Sequence, residues 1–154
     1  ETYPLLLEKG YKLAVYSRCS YWLDLGTPKK YLKAHKDILS GAFRITNHNF
    51  SRYPQYISRT AKISPNVKIN GPVYIGDNVE IDSFSVIGPG TVLCEYSSVG
   101  KGVKIMGSVV WDNVHVGSGS SIINSVVMSK CKVSKNSEER NTVLTGSLSH
   151  PMAG

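Results

Sequence analysis

A six-residue periodicity of aliphatic side chains constrains the fold of this chain more than any other feature. An aliphatic residue recurs at every sixth position from residue 57 to residue 105; after one dropped residue the spacing resumes and continues to residue 128. Its members are Ile57, Ile63, Ile69, Ile75, Ile81, Ile87, Leu93, Val99, Ile105, Val110, Val116, Ile122 and Met128. Asn or Gly often stands three positions after these residues, and both tolerate a positive φ at little cost. The pattern therefore predicts one tight corner per repeat.

A period of six fits neither an α-helix nor a two-layer antiparallel sheet. It fits a parallel β-helix, in which each repeat supplies one short strand and one turn, and three repeats close a triangular coil. The repeated aliphatic side chains would point inward and stack from coil to coil. Thirteen repeats predict just over four coils, so the fold class is mainly β. The pattern resembles the hexapeptide-repeat family, and that resemblance implies a left-handed helix.

The chain ahead of the repeats has a different composition, typical of mixed α/β structure. Residues 12–16 alternate as a short strand does. A helix should begin at Pro28, because Thr27 before it can cap free backbone N–H groups and proline at the first helical position loses no hydrogen bond. Gly41 should end that helix.

These differences divide the chain into four segments. Residues 1–41 form the α/β segment and residues 42–56 a linker. Residues 57–133 form the β-helix, and residues 134–154 a C-terminal cap or tail.

Charge and cysteine content narrow the choice of partners and compartment. The 154 residues carry a formal net charge of +7, which favours anionic partners. The basic residues are scattered without interleaved aromatic residues, so nucleic-acid binding is not expected. No apolar run approaches the roughly 20 residues of a membrane span, so no membrane partner is expected. The three cysteines, Cys19, Cys94 and Cys131, are an odd number with no close pair, which favours a reducing, cytoplasmic compartment.

The positions of the histidines bear on two kinds of chemistry known for β-helices. Many hexapeptide proteins are acetyltransferases with a histidine base, and His115 is the one histidine within the repeats. An ordinary surface turn residue is the simpler interpretation of His115, since no inserted loop would build an acceptor groove beside it. A zinc site of the β-helical carbonic anhydrase kind needs three histidines on the coils. His35, His48 and His150 lie outside the repeats, which excludes that site.

One segment ahead of the repeats points to a different activity. The sequence Tyr-Trp-Leu-Asp-Leu-Gly-Thr-Pro-Lys-Lys-Tyr-Leu-Lys-Ala at residues 21–34 resembles the end of the catalytic domain of nucleotide-sugar pyrophosphorylases, the sugar-1-phosphate nucleotidyltransferases. Residues 3–10 are similar to the stretch that precedes this motif in the family, and residues 108–114 are similar to its β-helix. The resemblance therefore covers nearly the whole chain.

The resemblance implies a reaction and a metal. Members of the family join a nucleoside triphosphate to a sugar 1-phosphate and release pyrophosphate, with Mg²⁺ held between two acidic residues. One of those residues is the Asp of the Trp-x-Asp-x-Gly-Thr motif, which falls on Asp24; the other interpretation of Asp24 is a turn or cap carboxylate beside Gly26. Tyr31-Leu32-x-Ala34-His35 looks most like mannose-1-phosphate guanylyltransferases, with glucose-1-phosphate adenylyl and thymidylyl enzymes as alternatives.

The chain departs from the family in what it lacks. It has no Gly-rich loop to cradle the triphosphate, and the partner carboxylate, the base-recognition pocket and most of the sugar site are absent too. We therefore expect it to be the C-terminal part of a longer enzyme and to be inactive alone, with the β-helix serving oligomerisation or regulation. Outward aromatic residues that would form a contact between copies are Tyr74, Phe84, Tyr96 and Trp111. A non-catalytic assembly module stays open as an alternative, because some exchange-factor subunits of translation initiation share this two-part architecture.

Overall fold

The computed structural model describes residues 2–17, 21–45, 50, 52–146 and 148–152. In these residues two helices, α1 (Thr2–Glu8) and α2 (Pro28–Leu39), precede a series of short strands that form three parallel sheets. The strands are two to four residues long because each is one side of a triangular coil. The predicted parallel β-helix is confirmed.

Each sheet takes every third strand of the coil, and the strands are numbered in chain order. Sheet A contains β1 (Gln55–Ile57), β4 (Val73–Ile75), β7 (Thr91–Leu93), β10 (Val109–Val110), β13 (Val126–Val127), β16 (Thr142–Thr145) and β17 (Leu148–Pro151). Sheet B contains β2 (Lys62–Ile63), β5 (Glu80–Ile81), β8 (Ser98–Val99), β11 (His115–Val116) and β14 (Lys132–Val133). Sheet C contains β3 (Lys68–Ile69), β6 (Val86–Ile87), β9 (Lys104–Met106), β12 (Ser121–Ile123) and β15 (Glu138–Arg140).

The repeated aliphatic side chains point inward, as the period predicts. Ile75, Ile81 and Ile87 supply the three sides of one coil and are 0%, 1% and 0% exposed. Each stacks on the equivalent residue of the next coil, so Ile75 pairs with Leu93 in sheet A. The stacked residues form one continuous hydrophobic core along the axis of the β-helix.

The residue dropped after Ile105 is confirmed, since Leu93 and Val110 pair 17 residues apart, but the register departs from the prediction one coil later. Ile75 and Leu93 are 18 residues apart, but each later coil of sheet A repeats after 17 residues, and Val127 pairs with Val110. The predicted inward residue Met128 is therefore wrong by one position, and the solenoid has about five turns rather than just over four. The shorter coils turn from sheet C to sheet A at a single left-handed residue, which is Gly107, Asn124 or Asn141.

Buried serines satisfy backbone groups at the corners. The Ser108 hydroxyl donates to the Met106 carbonyl oxygen at 2.9 Å and accepts the Ser125 N–H of the next coil at 3.0 Å. Ser85 makes equivalent bonds with Gly100 and Val103. A hydroxyl that both donates and accepts can serve two coils, which explains why small polar residues alternate with valine at these positions.

The C-terminal end of the core is closed by polar contacts and by an antiparallel strand. Glu139 stands in the register of Ile122 and accepts hydrogen bonds from the hydroxyls of Ser137, Thr142 and Ser149. Strand β17 then pairs antiparallel with β16 and covers that edge of sheet A. Because paired strands run from Gln55 to Pro151, the structured solenoid reaches beyond the range 57–133; the predicted segment boundaries stay predictions.

The helix predicted after Thr27 is present. The Thr27 hydroxyl accepts the Lys30 N–H at 3.3 Å, and Gly41 adopts a left-handed conformation after the helix. The strand predicted over residues 12–16 is wrong, since residues 11–17 have no regular structure. Alternation alone gives no strand without a neighbouring strand to pair with. Cys19 and His48 lie outside the described residues.

Helix α2 lies on the outer face of sheet A. Leu32 and Leu39 of the helix are 5% and 2% exposed and pack with the outward valines of that sheet. The outward residues of sheet A are apolar in every coil: Tyr56, Tyr74, Val92, Val109, Val126 and Val143. This second hydrophobic cluster holds α2 against the β-helix and positions the loop before the helix.

Candidate metal-binding loop and neighbouring surfaces

Asp24 lies in the loop that leads into α2. One carboxylate oxygen, Oδ1, accepts the Gly26 N–H at 3.1 Å, and the other, Oδ2, accepts a hydrogen bond from the Lys30 ammonium at 2.8 Å. The side chain is 51% exposed. The Lys30 ammonium, and to a lesser extent the Gly26 N–H, hold the pKa of Asp24 below its usual value. The carboxylate is therefore ionised at neutral pH and open to solvent.

This geometry fits a single ligand of a hard divalent cation. Mg²⁺ keeps several waters in proteins and takes one or two carboxylates together with substrate phosphates. Asp24 also has the turn role that is the other interpretation of this residue, since its carboxylate accepts the N–H of Gly26, two residues later. Within the described ranges no group of three or more His, Cys, Asp and Glu side chains is arranged to hold a metal ion. Asp24 would therefore act with ligands supplied from elsewhere.

The β-helix contacts α2 just after this loop. The Trp111 indole Nε1–H, at the corner after β10, donates to the Tyr31 hydroxyl of α2 at 3.1 Å. Burial of that hydroxyl raises the pKa of Tyr31. An apolar cavity of about 260 Å³ lies between the loop and sheet A and is lined by Leu25, Gly26, Thr27, Pro28, Tyr31, Trp111, Val126, Met128 and Val143. Sequence reasoning missed this contact, although the outward valines at coil spacing were a signal for it.

His115 lies on the outer face of sheet B, away from α2. Its ring Nδ1 and the Ser98 hydroxyl oxygen are 2.8 Å apart, and the side chain is exposed. The outward residues of this sheet form a polar row: Lys62, Glu80, Ser98, His115 and Lys132. Lys62 and Glu80 form an ion pair of 2.8 Å, so most of the row is a solvated surface with local pairing.

The four outward aromatic residues divide into two pairs. Tyr74 stacks on Tyr56 with ring centroids 4.9 Å apart, and Trp111 packs against α2, so both belong to the covered face of sheet A. Phe84 and Tyr96 are 59% and 61% exposed at the two corners that flank sheet B, and each has a positive φ.

None of the described helices is long and apolar enough to cross a membrane.

Comparisons with known proteins agree with this architecture. Residues 69–149 match the family profile described as the GMPPB C-terminal domain. A glucose-1-phosphate adenylyltransferase from Bacillus cytotoxicus is 31% identical over 121 residues, which is 73% of this chain and 30% of the relative. The enzyme of the same name from Bacillus anthracis is 33% identical over 120 residues, 72% of this chain and 31% of the relative. The chain thus spans about a third of the length of these relatives.

A solved structure shows the same fold. A hexapeptide-repeat-containing acetyltransferase from Vibrio cholerae superposes with a TM-score of 0.50 at 14% identity, over 86% of this chain and 94% of that one. At that identity the likeness concerns the fold alone.

The fold and its repeats define the class, a parallel β-helix of hexapeptide repeats that carries an apolar-faced helix on one sheet. Within that class the chain belongs to the GMPPB C-terminal domain family and is homologous to sugar-1-phosphate nucleotidyltransferases.

Proposed function

We propose that this chain is the C-terminal region of an enzyme that joins a nucleoside triphosphate to a sugar 1-phosphate and releases pyrophosphate. The family membership of residues 69–149 carries this proposal. The Asp24 loop supports it, because an ionised carboxylate is paired with Lys30 of α2, the helix that packs on the β-helix. For the specificity we propose mannose 1-phosphate and a guanine nucleotide, from the motif at residues 31–35. Because the relatives are named as glucose-1-phosphate adenylyltransferases, glucose 1-phosphate and an adenine nucleotide are the first alternative.

Asp24 is the residue through which we expect Mg²⁺ to act. Bound Mg²⁺ would neutralise charge on the phosphates during in-line attack. Asp24 would contribute one anionic oxygen, and Gly26 and Lys30 keep that carboxylate ionised and oriented. The pKa of Asp24 is depressed. Its carboxylate therefore stays ionised as the pH falls to the usual pKa of an aspartate, and it is protonated only at lower pH. Metal binding through Asp24 should therefore be lost only in acid.

The substitution Asp24→Asn in the complete polypeptide tests this role. Even outer partners of metal ligands affect metal affinity or activity by about 10- to 100-fold, so loss of a direct ligand should lower Mg²⁺-dependent turnover by at least about tenfold. Pyrophosphate release measured over a range of Mg²⁺ concentrations would show the defect.

A matched control is Glu80→Gln, which removes an exposed carboxylate that pairs with a lysine at the same distance of 2.8 Å. The control should leave turnover unchanged. Equal turnover of the Asp24→Asn variant and the wild type at limiting Mg²⁺ would refute the metal role.

We propose further that the β-helix mediates self-association in the cytoplasm. The exposed aromatic residues Phe84 and Tyr96 support this proposal, since exposed aromatic side chains are enriched at interfaces. Sedimentation equilibrium should give more than one copy per particle for the wild type and a smaller particle for Phe84→Ser/Tyr96→Ser. Unchanged mass in that double variant would remove these residues from the interface.

Without the nucleotide-binding part of the family, the 154-residue chain alone should release no pyrophosphate.

A further inference from the structure

The carboxylate proposed as a metal ligand is already paired with a cation of this chain. The Lys30 ammonium donates to Asp24 Oδ2 at 2.8 Å, and the Gly26 N–H donates to Oδ1 at 3.1 Å. The side chains of Lys30 and Asp24 are 46% and 51% exposed, so the pair faces solvent. An incoming cation therefore meets a carboxylate whose charge Lys30 has already balanced.

Lys30 stands where a helix disfavours positive charge. It lies in the first turn of α2, which contains no acidic residue, although the helix dipole favours negative charge there. Its backbone is fixed, because its N–H donates to the Thr27 hydroxyl at 3.3 Å, and its side chain reaches back six residues to Asp24. A residue that breaks a local rule in this way often does so at a functional site.

Lys30 opposes the binding of a free divalent cation to Asp24. Two positive charges on one carboxylate repel each other at short range, so the cation gains less from Asp24 while the ammonium stays in place. The lysine side chain is a flexible four-carbon stem, and its ammonium can leave while the backbone N–H remains bonded to Thr27. Departure of the ammonium costs the strength of the ion pair.

A divalent cation that carries phosphate brings a new partner for the ammonium. Mg²⁺ in proteins is bound through one or two carboxylates together with substrate phosphates. An ammonium that leaves Asp24 can then donate to a phosphate oxygen, and this charge-assisted contact replaces the lost ion pair. Lys30 therefore favours the metal–phosphate complex and disfavours the free cation.

We propose that Lys30 couples metal binding at Asp24 to phosphate binding, so that the loop takes a divalent cation with its phosphate in preference to the cation alone. This inference rests on the metal role proposed for Asp24 and adds a selectivity that one exposed carboxylate does not have. A lysine that only kept the loop in shape would change both kinds of binding in the same direction.

Mn²⁺ tests this coupling, because it prefers the same oxygen ligands as Mg²⁺ and broadens the amide signals of residues near it. The 154-residue chain is titrated with Mn²⁺ alone and with Mn²⁺ in excess pyrophosphate, and broadening at residues 22–27 gives a dissociation constant for each. In Lys30→Met the constant for Mn²⁺ alone should fall by about two- to fivefold, as expected when a competing exposed ion pair is lost. The constant for Mn²⁺ with pyrophosphate should rise by about two- to fivefold, because a charge-assisted contact is lost.

The matched control is Lys29→Met, which removes the same charge one residue earlier. Lys29 is exposed and belongs to none of the described ion pairs. The control should change neither dissociation constant by more than about twofold, since exposed charges act weakly unless they are paired. Methionine forms helices as well as lysine does, so both variants should keep α2.

The outcomes separate this inference from the metal role on which it rests. Broadening that is the same in the wild type and in Asp24→Asn would overturn both. Broadening that Asp24→Asn abolishes, but that Lys30→Met and Lys29→Met change alike, would overturn the coupling and leave the metal role. A change of both constants in the same direction in Lys30→Met would also overturn the coupling, because it would show a structural role for the lysine.

Discussion

Sheets A and B have the same interior and opposite exteriors. Both point stacked aliphatic residues into the core, and Ile75 and Ile81 are equally buried. On the outside, Val109 of sheet A is 1% exposed beneath α2, whereas His115 of sheet B is exposed and follows a row of polar residues. The six-residue period therefore determines the solenoid, and the residue before each inward position determines which face is covered.

This comparison explains how the two parts of the chain are joined. The only large apolar exterior among the described sheets is that of sheet A, and it receives α2 with the buried side chains Leu32 and Leu39. The loop that carries Asp24 is thereby fixed relative to the β-helix. The exposed exterior of sheet B remains free of such a contact in the described residues.

The largest effect should come from truncating inward residues, and it should not depend on the sheet. Ile75→Ala, Ile81→Ala and Ile87→Ala lie on one coil, one in each sheet, and all three side chains are buried. Each should lower the free energy of unfolding by about 3–4 kcal/mol, from lost burial and the cavity left behind. Chemical denaturation of the three variants measures this. A difference of more than about 2 kcal/mol among them would contradict the equivalence of the three sides.

A smaller effect should separate the two exteriors. Val109→Asn buries an amide beneath α2 and should lower the free energy of unfolding by about 2–3 kcal/mol, because the amide loses water without gaining partners. His115→Asn places the same side chain on the exposed face of sheet B and should change the free energy of unfolding by less than about 0.5 kcal/mol. Hydrogen exchange of α2 should quicken in the first variant and not in the second. Equal effects would show that α2 does not cover sheet A.

The smallest effect should come from the hydrogen bond between the helix and the corner after β10. Tyr31→Phe leaves the Trp111 N–H without its acceptor in a half-buried place, and should lower the free energy of unfolding by about 0.5–1.5 kcal/mol. Tyr16→Phe removes a hydroxyl from a side chain that is 82% exposed and serves as the control, with no measurable change expected. Thermal unfolding of both variants measures the difference. A Tyr31→Phe variant as stable as the control would show that the bond does not hold the loop.

The sequence predicted the solenoid because the inward positions repeat from residue 57 to residue 128 with a single dropped residue. It predicted the first 17-residue coil, from the residue dropped after Ile105, but not the later ones, since a corner shortened by one residue leaves the small and β-branched pattern almost unchanged. Val127 and Met128 are both apolar, so only strand register separates the inward residue from its neighbour. The expected strand over residues 12–16 failed for another reason: pairing depends on a neighbouring strand, which alternation does not reveal.

Asp24 as a metal ligand stays a prediction from the sequence, and the surroundings of this residue were not predicted. The motif around Asp24 indicated a metal ligand, and the cap at Thr27 correctly predicted where the helix begins. The ion pair with Lys30 and the support from Trp111 depend on how the helix docks. That docking joins residues 80 positions apart, a separation that no local pattern encodes.

The most direct test of the proposed function is a measurement of pyrophosphate release by the natural polypeptide that contains this sequence. The purified protein would be supplied with Mg²⁺ and either GTP with mannose 1-phosphate or ATP with glucose 1-phosphate. We predict Mg²⁺-dependent release of pyrophosphate, faster with the first pair. Absence of release with these and other nucleotide and sugar 1-phosphate pairs would contradict the enzyme and leave the chain as a β-helical assembly module.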